Sequence, residues 1–388
     1  MPILFFMPWV ACGEPLDLGV LRLVPYERGV QPGVLNGVAQ ESLDAILGSY
    51  GDPDYYPSES TSKHVLDATL LVWPEDQEGG ELEDGLVLRR LAQVQYVAFS
   101  ALAQRQFFGY SGYCNSDGYQ AIAQRFSAGA PGDTAVTRRR RDGHGLHHVG
   151  NASVPRFIRP EHVDEGLRLD IDAQLVIALL NVPSGEVKDR IDAAIDAFVK
   201  ANTDSSAVLE RAEMVLMRVA FETLLGSTHQ TFDLRERFEH HFRSDLASPP
   251  KWQGGALTEK IWRTRWSKNV KRPLDAWVQD FCAGRNAVAH GPSGDQEPTV
   301  WPRHNHLLFA SRLFPLMVKK VLAENGLYQL SAEDLAFRRG FEAYLAHDVL
   351  SRVDANMPEL WWSRVERDLL WDIGWADTFA ASNENDSS

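Results

Sequence analysis

An α+β fold, with a strand-containing N-terminal domain followed by an antiparallel α-helical bundle, is what the sequence predicts, and three observations predict it. The first 165 or so residues carry short aromatic and β-branched runs ended by turn residues. From about Asp172 the texture changes to long segments in which apolar residues recur every three or four positions. At 388 residues the chain also exceeds a single typical domain. The expected organisation is a mixed domain over 1–168, a helical bundle over 169–330, and a helical extension over 331–388 whose tail, "SNENDSS", is acidic and disordered in character.

The strand readings come from "ILFFMPWVAC", "GVLRLVPYE" and "HVLDATLLVWP". The stretch "LEDGLVLRRLAQVQYVAFSALAQRQFFGYSGYC" is ambiguous: its opening reads as a strand, and residues 91–107 suit a helix better. "SAGAPGDTAVTRRRRDGHGLHHVGNASVPR" has the composition of an exposed loop. Among the helices, "VKDRIDAAIDAFVKA" places Val187, Ile191, Ile195 and Phe198 or Val199 on one face. "SSAVLERAEMVLMRVAFETLLG" opens on a Ser cap and ends at Gly226, with a stripe through Leu209, Ala212, Leu216, Val219 and Thr223. "DLRERFEHHFRSDL" is a third helix and "LTEKIWRTRWSKNVKR" a fourth. Pro273, well tolerated at a first helical position, starts the helix that ends at His290. A long helix follows, with Leu307, Phe314, Val318 and Val321 in register and a kink expected at Pro315. Short connections make such helices an antiparallel bundle, and two more helices are expected within 331–381.

A formal net charge of -14 argues against a chain-wide affinity for nucleic acid or an anionic membrane, so any nucleic-acid contact needs a local basic patch. The cysteines Cys12, Cys114 and Cys282 are too scattered for a disulfide framework or a zinc pattern, which fits a reducing cytoplasm. The apolar start "MPILFFMPWVAC" lacks a basic n-region and is interrupted by Pro, so it reads as a buried strand. No stretch approaches the roughly 20 apolar residues that span a bilayer. A cytoplasmic protein without a membrane segment is expected.

The stretch "FCAGRNAVAHG", residues 281–291, ends its helix oddly. Trp277, Val278, Phe281 and Cys282 form an apolar stripe, and four positions beyond Phe281 stands Arg285, a guanidinium where a Leu is expected. On a helix Asn286 and His290 are one turn apart, and Arg285 lies about 100° to one side. An Arg, a polar residue next to it and a His a few positions on, in the penultimate long helix of an α-bundle, resembles the signature of the HEPN superfamily, Arg-x4–6-His. "GRNAVAHG" and the long helix after it look closest to the Apea-like branch, and the resemblance covers roughly residues 205–328. Spacing alone carries nothing, since Arg139 and His144, Arg156 and His162, and Arg235 and His240 share it. Only Arg285 is followed by Asn and ends a helix at Gly-Pro.

The resemblance implies a metal-independent endoribonuclease with Arg285 and His290 catalytic and Asn286 assisting, acting as a homodimer on RNA in phage defence or growth arrest. In that chemistry a ribose 2′-hydroxyl attacks the adjacent phosphorus. An imidazole with a pKa near 6.5 takes the proton or returns one to the leaving oxygen, and a guanidinium fork stabilises the charged phosphorane. Asn286 either orients the imidazole or binds a phosphate oxygen. Two bundles pairing would bring both motifs into one cleft, and the stripe bearing Arg285 would then be a dimer face. Each residue also has a plain structural role open to it. Arg285 could pair with Glu213 or Glu222, His290 could be a helix C-terminal cation, and Asn286 could bridge locally.

"EKIWRTRWSKNVKRP" gathers Lys260, Arg263, Arg265, Lys268, Lys271 and Arg272 with Trp262 and Trp266. Cations interleaved with indoles suit a phosphate backbone with stacked bases; the alternative is a solvated face with both tryptophans docked inward. His144, His147 and His148 lack a companion ligand at metal spacing, so "RRRRDGHGLHH" reads as a flexible basic loop and no metal is expected. Absence of a phosphate-binding Gly-rich loop and of a nucleophile elbow leaves no cofactor and no serine chemistry. The N-terminal domain is read as a sensing or targeting module for a trigger ligand or protein. The rival reading of the bundle is a non-catalytic module that binds RNA or nucleotide or scaffolds a partner.

Overall fold

The structure, a computed structural model, describes residues 3–19, 21–30, 38–51, 65–73, 84–100, 105–108, 111–114, 116–126, 134–140, 143–149, 157–160, 167–169, 171–203, 208–242, 256–270, 272–289, 300–332, 334–335 and 345. It divides into two compact units, Met1–Ala103 with Asn115–Val182, and Gln104–Cys114 with Pro183–Ser388. One is built on an antiparallel sheet and the other on helices, so the fold class is α+β.

In the first unit, β1 (Ile3–Met7), β3 (Leu16–Asp17), β4 (Arg22–Glu27), β6 (Asp67–Val72), β9 (Ile122–Phe126), β10 (Thr134–Arg140) and β11 (Gly143–Val149) form one sheet in the order β11-β10-β9-β1-β6-β4-β3. Every pairing in it is antiparallel. Both faces are covered, which is why the central strands read as unbroken apolar runs rather than as alternations. Phe5, Met7, Leu23 and Leu71 point to a core with Val87 and Val94 of α2 (Asp84–Ser100) and Val176 of α3 (Ala173–Leu180). Leu4, Phe6, Val24, Tyr26, Leu70 and Val72 point the other way, to Leu43, Ile46 and Leu47 of α1 (Gln40–Leu47). Buried Thr69 donates its hydroxyl to the Val10 carbonyl and accepts from the Cys12 amide, tying β2 (Val10–Ala11) over the sheet. Pro25 lies beyond the end of β3, where β4 needs no second ladder partner. Two short parallel pairs, β12 (Phe157–Ile158) with β5 (Tyr50–Gly51) and β13 (Leu167–Arg168) with β2, complete the unit.

Three expectations change here. The segment read as a basic loop contains β10 and β11, paired with Arg139 opposite His144 and Val136 opposite His147. Strand pairing rests on backbone groups, and a charged strand at a sheet edge discourages further pairing. The helix expected over 91–107 starts earlier, because Val87 joins Val94 in the core, and stops at Ser100. Residues 105–108, rich in aromatics that favour strands, form β7, paired with β8 (Ser111–Cys114). Helix α3, whose first turn is capped by the Asp172 carboxylate accepting from the Leu175 amide, groups with the sheet rather than with the helical unit.

The helical unit contains α4 (Glu186–Ala201), α5 (Glu210–Leu225), α6 (Thr231–Phe242), α7 (Ala256–Trp262), α8 (Pro273–Ala289) and α9 (Arg303–Glu324), with the β7–β8 hairpin against α9. Helix α5 packs on α4, α8 and α9, and Phe221 stands at the centre. Around it lie Phe238 of α6, Trp277 and Phe281 of α8, and Phe314 of α9, with ring centroids 5.1 to 6.3 Å away. Phe198 of α4 stacks on Phe314 at 4.4 Å. Of the two candidates on α4, Phe198 is therefore the core residue. Leu307, Phe314, Val318 and Val321 are buried as expected, and Pro315 lies inside α9.

The expected face of α5 is not the buried one. Leu209 is 69% exposed and Val219 36%, whereas Met214, Met217, Arg218, Phe221 and Leu224 are enclosed. The helix begins after Leu209 without a side-chain cap and ends at Gly226 in the left-handed conformation, φ 61°. The expected fourth helix is also shorter: α7 stops at Trp262, turns follow, and a 3-10 turn covers Ser267–Asn269. Of the C-terminal extension, only 331–332, 334–335 and 345 are described. Ser331 and Asp334 exchange backbone-to-side-chain hydrogen bonds of 2.9 and 3.0 Å, a capping box where the next helix was expected to start. Among the described residues no helix is long and apolar enough to cross a membrane.

Candidate active site

Helix α8 carries the sequence motif at its C-terminal end. Its stripe of Trp277, Val278, Phe281 and Cys282 is wholly buried within the one chain, against α5, α6 and α9. From Trp277 to Cys282 the stripe is therefore a core face, covered by this chain's own aromatic side chains. Arg285 and Asn286 follow half-buried in the last turns. His290 and Lys271 lie outside the described residues.

The centre of the arrangement is a residue the motif does not include. Arg218 of α5 is fully buried, and its guanidinium is spent on four acceptors. Nε donates to Glu222 Oε1 at 2.6 Å, and Nη2 to the His229 carbonyl at 2.6 Å. Nη1 donates to Asn286 Oδ1 at 3.0 Å and, at 3.4 Å, to the Cys282 carbonyl. Arg285 Nη1 donates to the same Asn286 oxygen at 3.2 Å. Two guanidiniums thus converge on one carboxamide oxygen. Glu222, with a side chain 14% exposed, is the carboxylate of the pair with Arg218. Arg285 pairs with neither Glu213 nor Glu222 in any ion pair among the described residues, and its buried Nε has no hydrogen-bond partner.

Positive charge therefore accumulates beside the end of α8, where the helix dipole is negative and favours a cation by about 0.3–1 kcal/mol. A structural account of Arg285 needs only that term. An anion approaching the same place meets a guanidinium fork and the Asn286 amide, the donor set that a phosphodiester requires. The neighbouring Cys282 takes no part as a nucleophile. Burial pushes its thiol up to about 11, although the Arg218 charge and a hydrogen bond with Thr231 pull the other way.

The segment 260–272 buries Ile261 and turns most of its described cations to solvent. Lys260, Arg263, Arg265 and Lys268 are exposed and Arg272 is half-buried. Trp262 is 73% exposed and Trp266 half-buried, so the alternative in which both indoles dock inward fails for Trp262. Glu259 contacts Arg263 at 3.4 Å between two exposed side chains, a pair worth little in water. This segment feeds the start of α8, whereas Arg285 is twelve positions into it, about 18 Å along the axis at 1.5 Å per residue. Arg272 at the start of α8 and Arg285 near its end are thus set apart along one helix.

Another buried polar cluster escaped the sequence reading. Asp280 Oδ2 accepts from the Val300 and Trp301 amides at 3.1 and 2.9 Å and lies 3.0 Å from His306 Nε2. It pins the chain entering α9 onto α8, so the helix carrying the motif is held from within. Neither Arg218 nor Asp280 was legible as a site residue. The available hint was the four-residue spacing of Arg218 and Glu222, which marks an ion pair on one helix face.

Comparison with known proteins returns nothing. No family model, no curated protein and no solved structure matches the chain.

Proposed function

We propose that this chain is a metal-independent endoribonuclease of the HEPN type, in which His290 moves the proton of a ribose 2′-hydroxyl and Arg285 stabilises the charge that develops on phosphorus. The observation that carries the reading is the convergence of Arg285 and Arg218 on Asn286 at the end of α8, within a unit of packed helices. Arg285, half-buried four positions beyond Phe281, carries a desolvation cost that an apolar residue continuing the stripe would not. Exposed Trp262 among Lys260, Arg263, Arg265 and Lys268, with Lys271 and Arg272 following, supports RNA as the ligand. A homodimer, a cytoplasmic setting, a role in phage defence or growth arrest, and a trigger ligand or protein sensed by the N-terminal unit belong to the same proposal.

The basic segment equally favours a second reading, a module that binds RNA without cutting it. Incubation of the purified chain with RNA in excess EDTA separates the two. Cleavage that persists and leaves 2′,3′-cyclic phosphate ends supports the enzyme. Binding without any cleavage, under conditions where the chain is folded and dimeric, supports the binding module.

A further inference from the structure

The amide of Asn286 has one orientation that its surroundings permit. A guanidinium has five donors and no acceptor, so the atom that faces both Arg218 and Arg285 must be the carboxamide oxygen, whichever way oxygen and nitrogen are drawn. The oxygen is thereby occupied twice, at 3.0 and 3.2 Å. What remains of the side chain is its NH2 group, which has no partner among the described residues and belongs to a half-buried side chain. An NH2 group donates. It serves an anion or the bare nitrogen of a neutral imidazole, which the affinity for 2′-O-methyl RNA distinguishes, and it cannot accept the N–H of an imidazole.

We propose that Asn286 donates its side-chain NH2 to a nonbridging oxygen of the RNA phosphate, and that the buried Arg218 is the positioning residue that turns the amide this way. The inference rests on the ribonuclease reading above. Arg218 suits the role because it is buried and its fork is held by Glu222, by the His229 carbonyl and by the Cys282 carbonyl as well as by Asn286. The other role open to Asn286, accepting from His290 to orient its ring, requires the oxygen that the two arginines already hold.

The test uses the full chain, a short mixed-sequence RNA, and the same sequence with 2′-O-methyl riboses, which binds but lacks the nucleophile. Asn286→Asp keeps an oxygen facing the two arginines and replaces the NH2 donor by a second oxygen. Its expected result is an unfolding temperature equal to or above wild type, with affinity for the 2′-O-methyl RNA and the cleavage rate both down about 10–100-fold, the worth of one hydrogen bond to a charged group. If Asn286 instead oriented the imidazole through its oxygen, a carboxylate would do so at least as well. Asn286→Asp within about threefold of wild type in binding and cleavage overturns the inference and leaves the ribonuclease reading standing. A wild-type chain that neither binds nor cleaves RNA overturns both.

Arg218 is tested by non-additivity. The double variant Arg218→Met, Glu222→Gln removes the charge pair together, so that no carboxylate is stranded. It should weaken binding as Asn286→Ala does, and adding Asn286→Ala should cost nothing more. If the double variant does not fold, Arg218→Lys, which cannot serve four acceptors at once, takes its place in the same comparison. Losses that add show that Arg218 is structural only and overturn its half of the proposal.

Discussion

Replacing Arg218 by Met keeps an unbranched apolar stem and removes every hydrogen bond the guanidinium makes. Four acceptors lose a donor: Glu222 Oε1, the His229 and Cys282 carbonyls, and Asn286 Oδ1, which keeps only Arg285. The decisive one is Glu222, a charged group 14% exposed and left without its partner. Breaking a buried pair from one side costs about 3–5 kcal/mol. For a domain of 150–250 residues each kcal/mol shifts the midpoint by about 2–4 °C, so Arg218→Met should lower it by roughly 6–20 °C. Thermal unfolding followed by tryptophan fluorescence reports on this unit, because Trp277 is fully enclosed in its core. Glu222→Gln in the same chain should recover at least half of the loss, since the stranded charge is then gone. A shift under about 4 °C for Arg218→Met would place the pair in the weak regime of surface ion pairs and refute the buried cluster.

Gly226 has φ +61° and a built Cβ would lie against Arg190 Nη1. Gly226→Ala should therefore cost about 1–2 kcal/mol in denaturant unfolding, and Gly226→Asn less, because Asn tolerates this conformation. The Cys282 thiol, raised to about 11 by burial, should resist alkylation in the native state at pH 8 and react once the chain is unfolded. Because its folded pKa exceeds the unfolded value of 9.0, the stability it contributes is complete below pH 9 and is lost as pH rises through about 11. A pH titration of unfolding for wild type and Cys282→Ala shows the difference in slope. Replacing Arg263, Arg265 and Lys268 together by Gln should weaken RNA binding and flatten its salt dependence by roughly 0.7 per lost phosphate contact, and an unchanged slope would assign the segment to a solvated face.

The parts of this architecture that the sequence discloses are those where one apolar period dominates. Ile191, Ile195 and Phe198 on α4, and Leu307, Phe314 and Val318 on α9, are buried as their spacing predicts. Helix α5 defeats the same method because it carries two apolar lines. Leu209, Leu216 and Val219 compete with Met214, Met217, Phe221 and Leu224, and the true line hides a charged Arg218 in its middle. A buried arginine looks like a surface residue until its four acceptors are seen, and two of those, on Cys282 and Asn286, come from a distant part of the chain. The β10–β11 hairpin was missed for a related reason. Its arginines and histidines read as loop, yet the two strands pair through backbone groups from Thr134 opposite Val149 to Arg140 opposite Gly143. At the candidate site, Arg285 and Asn286 were legible from the broken stripe. Their shared oxygen contact was not, because it depends on how α5 and α8 pack.

The most direct test of the account is His290→Ala, assayed for thermal unfolding and for RNA cleavage in EDTA on the same preparation. In the sequence it directly follows Ala289, the last described residue of α8, and precedes Gly291, so as a bystander cation at a helix C-terminus it would be worth about 0.3–1 kcal/mol of dipole interaction. If it transfers the proton, cleavage should fall roughly 10²–10⁴-fold while the unfolding midpoint stays within a few degrees of wild type. Arg285→Ala should lose comparable activity, and Arg285→Lys should restore little of it, because a point charge does not reproduce the fork. A stable His290→Ala chain that cleaves RNA at the wild-type rate would contradict the account.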